Sequence, residues 1–357
     1  MTSQLIFCRA GFEAEAAAEL ADRAAQHGIA GYPEAQRGSG FAWFRSMNEG
    51  ADPPKITNIA FADLIFARQR IAVSAELEAL DPKDRLTPIL AALPAPSTNA
   101  GVFGDVFVEH PDSDEHKPLA ALARGFGNAL RPALRKAGKL TPAPDATLPR
   151  LHVVFFAGDH VALGVTDPRH SSPWPQGIPR LKLHHDAPSR SALKLEEALS
   201  TLLTDEERAR WLKPGMKAAD LGAAPGGWSW VLARQGIHVT AIDNGPLADT
   251  AHATGLIRHL RADGFSWLPQ QPLDWMVCDM VEQPKRVAAR MAQWFAGGWC
   301  RRAIFNLKLP MKKRYPEVQA NMADFERLCA QAGIDVQWRA RQLYHDREEI
   351  TVFAFTA

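Results

Sequence analysis

Residues Ala218–Trp228, which read Ala-Ala-Asp-Leu-Gly-Ala-Ala-Pro-Gly-Gly-Trp, decide the fold of this chain. A short apolar run ends at Asp220-Leu221, a glycine-rich loop follows, and an apolar helical segment continues to Gln235. Strand, glycine loop and helix in this order open a Rossmann-type nucleotide-binding domain. Residues His238–Ile242 predict the next strand, and Asp243 follows it, where a carboxylate binds the hydroxyl groups of an adenosine ribose.

The loop differs from the dinucleotide-binding pattern. Gly-x-Gly-x-x-Gly is absent, and Pro225 removes a backbone N–H that a pyrophosphate would use. A ligand with ribose and adenine but no phosphate fits better, which predicts S-adenosylmethionine. The alternative is an ordinary turn between a strand and a helix. We assign the cofactor contacts to Ser191, Gly222, Ala224, Pro225, Gly226, Gly227, Trp228, Asp243, Asp263 and Asp279.

Length and composition exclude several classes of protein. The 357 residues suffice for two or three domains, and the net charge of +1 means that a nucleic acid would meet local basic patches. The four cysteines are scattered, and no partner cysteine or acid is expected at ligand spacing from His184-His185, so no metal is expected. No apolar run approaches the roughly 20 residues that span a bilayer. We expect a soluble, cytoplasmic monomer without a membrane anchor.

The N-terminal half alternates strands and helices without a second glycine loop. Strands are predicted at Gln4–Arg9, Phe41–Phe44 and Leu64–Ile71, with a helix at Glu13–Gln26 between the first two. Further on, the sequence predicts helices at Asp81–Leu93 and Leu119–Lys136, a loop at Pro94–Asn99, a strand at Val106–Glu109, and a hairpin from Leu151–Phe156 and Val161–Val165. This half is therefore predicted to be an accessory α/β module.

Basic residues in this half are candidates for contacts with an RNA backbone. They are Arg131, Arg135 and Lys136, close to the end of the long helix, where they alternatively form only its solvated face. A second basic tract, Lys312, Lys313 and Arg314, follows a predicted strand in the C-terminal half. We expect this tract to be the main RNA-binding patch.

Charged residues end several predicted elements of the C-terminal half. Asp220, Asp243, Asp263 and Asp279 each follow an apolar run, and Lys308 ends another. In open α/β sheets the ligand lies outside the carboxyl ends of the strands, so these residues are expected along one edge. Lys194, near a helix start, and Glu348, before the last strand, are expected to face the same cleft.

The set Lys194, Asp279, Lys308 and Glu348 resembles the catalytic Lys-Asp-Lys-Glu tetrad of FtsJ-type RNA 2′-O-ribose methyltransferases. The segments Ser189–Leu195 and Asp220–Trp228 match that family as well. Residues 243–246, 275–280, 304–315 and 342–349 resemble the RlmM-type 23S rRNA cytidine 2′-O-methyltransferases more closely. One departure is Ala224, where the family often has a cysteine.

The resemblance implies a fold, a partner and a target. The expected class is α/β, with a small module at 1–55, a THUMP-like RNA-binding module at 56–168, a linker at 169–187 and a methyltransferase domain at 188–357. The N-terminal modules are expected to be ferredoxin-like and THUMP-like, and the C-terminal Rossmann-like sheet to be mostly parallel with an antiparallel terminal pair. The implied substrate is one cytidine in the peptidyl-transferase region of 23S rRNA.

The chemistry assigns different roles to the four residues. A ribose hydroxyl is a very weak acid, so its methylation needs a base and close placement. We expect Lys308 to be the base and Lys194, Asp279 and Glu348 to orient it. Glu349 is a rival for Glu348, because only one of two successive strand residues faces the cleft. The alternatives are a non-catalytic RNA-binding protein and a small-molecule O-methyltransferase.

Overall fold

The computed structural model of the protein describes residues 3–47, 59–94 and 101–356. The chain divides into two compact units that meet between Pro179 and Arg180, and each unit contains one seven-stranded sheet. This confirms the predicted α/β class. Among the described residues, no helix is long and apolar enough to cross a membrane.

The first unit is built on a predominantly antiparallel sheet. Its strands are β1 (Ser3–Phe7), β2 (Gly31–Ala35), β3 (Phe41–Ser46), β4 (Gln69–Leu77), β5 (Asp105–Glu109), β6 (Arg150–Phe155) and β7 (Val161–Thr166), and its helices are α1 (Glu13–Gln26), α2 (Leu86–Ala91) and α3 (Ala120–Lys136). The strand order is β2-β3-β1-β4-β7-β6-β5, with β5 and β6 parallel. Strands from both predicted N-terminal modules therefore join one sheet. The predicted boundary at residue 55 lies outside the described residues.

Some predicted elements of this unit were wrong in extent. The predicted strand Leu64–Ile71 begins only at Gln69, because the N–H groups of Ile65 and Phe66 donate to the carboxylate of Glu19 instead of a strand partner. The predicted helix Asp81–Leu93 shortens to α2, because Asp81 accepts the N–H of Lys83 in a turn before it and Asp84 accepts the N–H of Thr87 in its first turn. Strand β2 was missed because its exposed residues carry no apolar alternation. Residues 95–99 of the predicted loop lie outside the described residues.

Residues at the start of the predicted linker pack against the first unit. Gln69 donates its side-chain amide to the carbonyl of Ser172 at 3.1 Å, and the backbone N–H of Gln176 donates to Glu109 at 2.5 Å. Ser172 and Gln176 are both buried. The second compact unit begins a few residues later, at Arg180.

The second unit has the doubly wound topology that the glycine loop predicted. Its strands are β8 (Lys217–Leu221), β9 (His238–Ile242), β10 (Ile257–Leu260), β11 (Trp275–Cys278), β12 (Arg302–Lys308), β13 (Gln337–Arg341) and β14 (Glu349–Phe355). Its helices are α4 (Ala192–Leu202), α5 (Asp205–Trp211), α6 (Gly227–Arg234), α7 (Asp249–His252), α8 (Pro284–Ala296) and α9 (Arg314–Gln331). The strand order is β10-β9-β8-β11-β12-β14-β13.

The order of these strands positions the site. Strands β10, β9, β8, β11 and β12 run parallel, and β14 inserts antiparallel between β12 and β13, as the predicted terminal pair requires. Fully buried Trp275, Ile304 and Phe353 fill the core between the sheet and its helices. The strand order reverses between β8 and β11, and ligands bind at the carboxyl ends of such strands.

Candidate active site

The glycine loop between β8 and α6 leaves no room for side chains. Gly222 and Gly226 adopt φ values of +77° and +108°, which favour glycine. A Cβ at Gly222 would lie 2.5 Å from the side chain of Met280, and one at Gly227 would lie 2.5 Å from the hydroxyl of Ser191. The glycines therefore let the loop pack closely against Met280 and Ser191 at the carboxyl edge of the sheet.

Asp243 lies beside this loop. Its Oδ2 accepts the N–H of Ala224 at 2.9 Å, and its Oδ1 accepts the N–H of Gly245 at 2.7 Å. Each carboxylate oxygen retains a second lone pair for a ribose hydroxyl. Asp263, which follows the neighbouring strand β10, is exposed and accepts the N–H of Phe265 at 3.0 Å. Both acids stand at the same edge of the sheet.

Two predicted cofactor contacts have structural tasks in the protein. Trp228 is buried, and its indole N–H donates to the carbonyl of Ser191 at 3.0 Å. The hydroxyl of Ser191 lies 2.7 Å from that of Ser189. These contacts fasten the segment before α4 to the start of α6, so Trp228 supports the loop from behind.

Asp220 is a buried acid beneath the loop. The hydroxyl of Ser229 donates to its Oδ2 at 2.6 Å. Burial raises the pKa of Asp220 to about 7, the nearby acids Asp279 and Asp243 act in the same direction, and the bond from Ser229 opposes them. Asp220 is buried, and the charges of the site contribute to its pKa.

Four charged side chains form an alternating cluster at the carboxyl ends of β11 and β12. Lys194 Nζ lies 3.2 Å from Asp279 Oδ2 and 2.5 Å from Glu349 Oε1. Lys308 Nζ lies 3.4 Å from Asp279 Oδ1 and also pairs with Glu349. Each lysine therefore contacts both acids. Lys308 has the most exposed side chain of the four, at 28%.

The cluster fixes the charge of two of its members. Burial alone would lower the pKa of Lys194, but the charges of Asp279 and Glu349 outweigh it and raise that pKa above its ordinary value. Burial alone would raise the pKa of Glu349, but Lys194 and Lys308 outweigh it and lower that pKa. Lys194 is therefore held in its protonated form and Glu349 in its ionised form.

The structure corrects the predicted acid of this cluster from Glu348 to Glu349. Glu349 begins β14 and is paired with Lys308 across the strands, so its side chain points to the same face of the sheet. Glu348, one residue earlier, points away, is exposed and pairs with Arg314 at 2.7 Å. Glu349 takes this place because it is the first residue of β14 and the direct cross-strand partner of Lys308.

Asn306 contacts the cluster, although the sequence analysis did not predict it as a site residue. It is fully buried on β12, and its Nδ2 donates to Asp279 Oδ1 at 2.8 Å. Residues two apart on a strand share a face, so the position of Asn306 two residues before Lys308 was a signal that it points to the same site.

Three of the predicted RNA-binding residues are arginines that contact other protein groups, and three are exposed lysines. Arg131 pairs with Asp105 at 3.0 Å, Arg135 donates to the carbonyl of Thr141 at 3.3 Å, and Arg314 pairs with Glu348. Lys136, Lys312 and Lys313 are exposed. Lys313 adopts a φ of +57° directly before α9, in the short connection that follows the carboxyl end of β12.

An acid does lie at ligand distance from His184-His185, contrary to the prediction. Asp186 follows the pair, with its Oδ2 3.2 Å from His185 Nε2 and 3.7 Å from His184 Nδ1. The three residues place one ligand atom each within 4.8 Å of one another. His185 and Asp186 are exposed.

Cys278 has the properties of a packed strand residue. It is fully buried at the end of β11, and burial raises the pKa of its thiol to about 12. A thiol with this pKa is not the thiolate that a cysteine nucleophile requires. Cys278 is therefore not a candidate nucleophile.

Three protein-family models match successive parts of the chain. The RlmM ferredoxin-like domain matches residues 1–71, and the N-terminal domain of ribosomal RNA large subunit methyltransferase M matches residues 84–167. The FtsJ-like methyltransferase model matches residues 187–294.

Curated relatives match over nearly the whole chain. Ribosomal RNA large subunit methyltransferase M of Xanthomonas campestris pv. campestris (strain B100) is 62% identical over 354 residues, which cover 99% of both chains. The protein of the same name from Xanthomonas axonopodis pv. citri (strain 306) is also 62% identical, with the same coverage. The structure of TrmN from Thermus thermophilus covers 100% of both chains at 18% identity, but its TM-score of 0.37 is too low for a functional comparison.

The doubly wound sheet, the glycine loop with its neighbouring carboxylate and the FtsJ-like match define a Rossmann-like methyltransferase. Its relatives match the N-terminal unit as well as the methyltransferase unit. The chain belongs to the ribosomal RNA large subunit methyltransferase M family.

Proposed function

We propose that this protein transfers the methyl group of S-adenosylmethionine to the ribose 2′-hydroxyl of a cytidine in 23S rRNA, in the peptidyl-transferase region. The observation that carries the proposal is the cluster of Lys194, Asp279, Lys308 and Glu349 at the edge of the sheet that also carries the glycine loop. The choice of cytidine and of the 2′ position follows from the resemblance to the RlmM-type enzymes.

The residues of the second unit fit the cofactor. Glycine at positions 222 and 227 lets the backbone lie close against Met280 and Ser191, and the loop that follows β8 thereby lies beside Asp243 at the carboxyl edge of the sheet. Asp243, held by two backbone N–H groups, would bind the ribose hydroxyls, and Asp263 would accept the adenine amino group. When bound, S-adenosylmethionine supplies an electrophilic methyl group on a sulfonium and leaves as the neutral thioether.

Lys308 is the proposed general base. In its neutral form, Nζ takes the proton of the 2′-hydroxyl as the new oxygen–methyl bond forms and the sulfur–methyl bond breaks, with the bonding electrons passing to sulfur. Asp279 and Glu349 stabilise the ammonium that results, because both carboxylates contact it. Lys194 stays charged and keeps both carboxylates in place. The proton then leaves Lys308 to solvent, which reaches this partly exposed side chain.

We also propose that the first unit docks the rRNA, as expected for a THUMP-like module. The family models assign it to domains found in rRNA methyltransferases, and Lys136 offers an exposed charge for a phosphate. A small-molecule methyltransferase would not need such a unit. A non-catalytic RNA-binding protein would not need an intact glycine loop beside an intact cluster.

Nucleoside analysis tests the proposed reaction. The purified protein, S-adenosylmethionine and 23S rRNA from a strain that lacks this protein are combined, and the digested RNA is analysed by mass spectrometry. We expect a gain of one 2′-O-methylcytidine per 23S rRNA at a single position, while rRNA from the parent strain gains none. Methylation of a base, or of free nucleosides alone, would refute the proposal.

A further inference from the structure

A buried chain of hydrogen bonds runs from the active-site cluster into the protein. Asn306 Nδ2 donates to Asp279 Oδ1 at 2.8 Å, and Thr351 Oγ1 lies 2.7 Å from Asn306 Oδ1. The same hydroxyl lies 3.0 Å from Asp346 Oδ2. Asn306, Thr351 and Asp346 are completely inaccessible to solvent. Asn306 and Thr351 are cross-strand partners, two residues along the strands from the pair Lys308 and Glu349. Residues two apart on a strand share a face, so this chain lies on the face that carries the active-site cluster.

The cluster fixes the direction of these hydrogen bonds. Asp279 lies between two lysines and is an acceptor, so Asn306 turns its NH₂ group toward Asp279 and its oxygen toward Thr351. The hydroxyl of Thr351 has one hydrogen, and Asn306 takes it. A hydrogen bond between Thr351 and Asp346 then needs a hydrogen from Asp346. Oδ1, which lies 3.3 Å from the hydroxyl, can carry this proton, because Oδ2 accepts the N–H of Leu343. Burial independently raises the pKa of Asp346 well above its ordinary value.

The far end of the chain is anchored to the helix that carries Lys194. Asp346 Oδ2 also accepts the N–H of Leu343 at 3.0 Å. The next two backbone N–H groups, of Tyr344 and His345, donate to the carboxylate of Glu197 at 2.8 and 2.9 Å. Glu197 lies on α4, one turn after Lys194. The loop before β14 is therefore fixed to the same helix that positions a lysine of the cluster.

We propose that Asn306, Thr351 and a protonated Asp346 act as positioning residues that hold Asp279 in the orientation in which it contacts Lys194 and Lys308. The proposal rests on the proposed function, since it concerns the rate of the same methyl transfer. Without the chain, Asp279 Oδ1 loses a neutral donor, and the ion pairs with Lys194 and Lys308 have to orient the carboxylate without it. The separation between Lys308 and the substrate hydroxyl then varies, and a displacement of about 1 Å costs roughly 100-fold in rate.

The first test removes only the hydroxyl of Thr351. Thr351→Val is nearly isosteric, and we expect it to slow single-turnover methylation of saturating rRNA by roughly 10–100-fold. The dissociation constant for S-adenosylmethionine and the half-saturating rRNA concentration should change by less than about twofold, because neither binding site loses a contact. Thr351→Ser, which restores the hydroxyl, should recover most of the rate. A full rate in Thr351→Val, or a Thr351→Ser rate equally low, would overturn the proposal.

A matched control removes a buried threonine hydroxyl elsewhere. Thr166 lies in the first unit and contacts His152 Nε2 at 3.0 Å. Thr166→Val should leave the single-turnover rate unchanged, even if the thermal midpoint falls. If both valine variants lose rate in proportion to their loss of thermal stability, the role of Thr351 is structural and the proposal is wrong.

The proton on Asp346 has its own test. Asparagine reproduces a neutral carboxyl, with a donor for Thr351 and an acceptor for Leu343. We therefore expect Asp346→Asn to keep at least roughly tenfold more of the single-turnover rate than Asp346→Ala. Equal rates would show that the proton has no role. This comparison also decides the matter if Thr351→Val does not fold.

Product analysis separates a failure of this proposal from a failure of the proposed function. If the unchanged protein produces no 2′-O-methylcytidine, the proposed function is wrong. If it does, and Thr351→Val is equally fast, only the positioning role is wrong.

Discussion

Lys308 and Glu349 are direct cross-strand partners, and their side chains form an ion pair. The pairing exists because β14 inserts antiparallel beside β12, which brings the first residue of one strand opposite the last residue of the other. Glu349 also contacts Lys194 at 2.5 Å, so one carboxylate connects the lysines of two separate elements. The antiparallel insertion therefore completes a site that parallel strands alone would leave without its second acid.

Exchange of the two neighbouring glutamates tests this arrangement. Glu349→Gln removes the charge that contacts both lysines, and we expect single-turnover methylation to slow by roughly 10–100-fold because Lys308 is no longer held in place. Glu348→Gln is the matched control, since Glu348 is exposed and pairs only with Arg314 among these side chains. A greater loss of rate in Glu348→Gln than in Glu349→Gln would contradict the assignment.

The sequence predicted those parts of the site that depend on local pattern. The glycine loop, Asp243 and the lysines at element ends are placed by the alternation of strands and helices, which apolar periodicity reveals. The sequence predicted Glu348 in the place of Glu349. Which of the two side chains faces the cluster depends on the register of β14 with β12, a partner strand that is distant in the sequence. Asn306 was missed for a related reason, since its partner Asp279 follows a different strand, β11.

Long-range pairing also limited the prediction of the first unit. The pairing of β1 with β4 joins the two predicted modules into one sheet, and nothing local in either strand indicates that partner. Helical spacing likewise could not show that Arg131 pairs with Asp105 at 3.0 Å. The assignment of Arg131, Arg135 and Lys136 to RNA contacts stays a prediction.

Removal of Asp243 tests the cofactor site. Asp243→Ala should weaken binding of S-adenosylmethionine by roughly 1.5–3 kcal/mol, the range for a hydrogen bond to a charged group, as measured by calorimetry. Asp274 provides the control, since it also accepts a backbone N–H, that of Lys217 at 2.9 Å, but lies at the amino ends of the strands. Equal losses in Asp243→Ala and Asp274→Ala would mean that loosening of the unit, not the loss of a ligand contact, explains the weaker binding.

The buried Asp220 predicts a dependence of stability on pH. Its folded-state pKa is raised to about 7, so between its unfolded pKa near 3.8 and pH 7 the folded state binds more protons. The free energy of unfolding contributed by this group therefore falls as the pH rises through that window. Asp220→Asn removes the effect, and the variant should gain on the order of 2 kcal/mol relative to the wild type between pH 5 and pH 8 in urea unfolding.

Asp324 gives the opposite sign as a control for this measurement. Its hydrogen bond from Arg327 lowers its pKa, so its contribution is present above the unfolded pKa and is lost as the pH falls. Asp324→Asn should not gain stability relative to the wild type between pH 5 and pH 8. If Asp220→Asn behaves in the same way as Asp324→Asn, Asp220 is not protonated in the folded protein.

The exposed lysines after β12 should act on RNA binding and not on the chemical step. Replacement of Lys312 or Lys313 by glutamine should weaken rRNA binding, and the slope of log affinity against log salt should fall by roughly 0.7–0.9 for each lysine that contacts a phosphate. Single-turnover rates at saturating rRNA should remain unchanged. Lys213→Gln, at an exposed lysine before β8, is the control and should leave the salt slope as it is.

Lys308 is the residue on which the proposed chemistry depends. Lys308→Ala removes the proton acceptor but leaves the glycine loop and Asp243, so cofactor affinity should stay near normal. The single-turnover rate should fall by roughly 10²–10⁴, the usual range for a general base.

Lys308→Arg separates a base from a positive charge. Arginine preserves the charge and can still pair with Asp279 and Glu349, but its guanidinium stays protonated and cannot accept the proton of the ribose hydroxyl. A base role therefore predicts that Lys308→Arg is as slow as Lys308→Ala in single-turnover methylation of saturating rRNA. A purely electrostatic role predicts a rate near that of the wild type. The latter result would assign Lys308 to charge stabilisation, and the proton would have to leave the hydroxyl by another route, since Lys194 is held as a cation by the same two carboxylates.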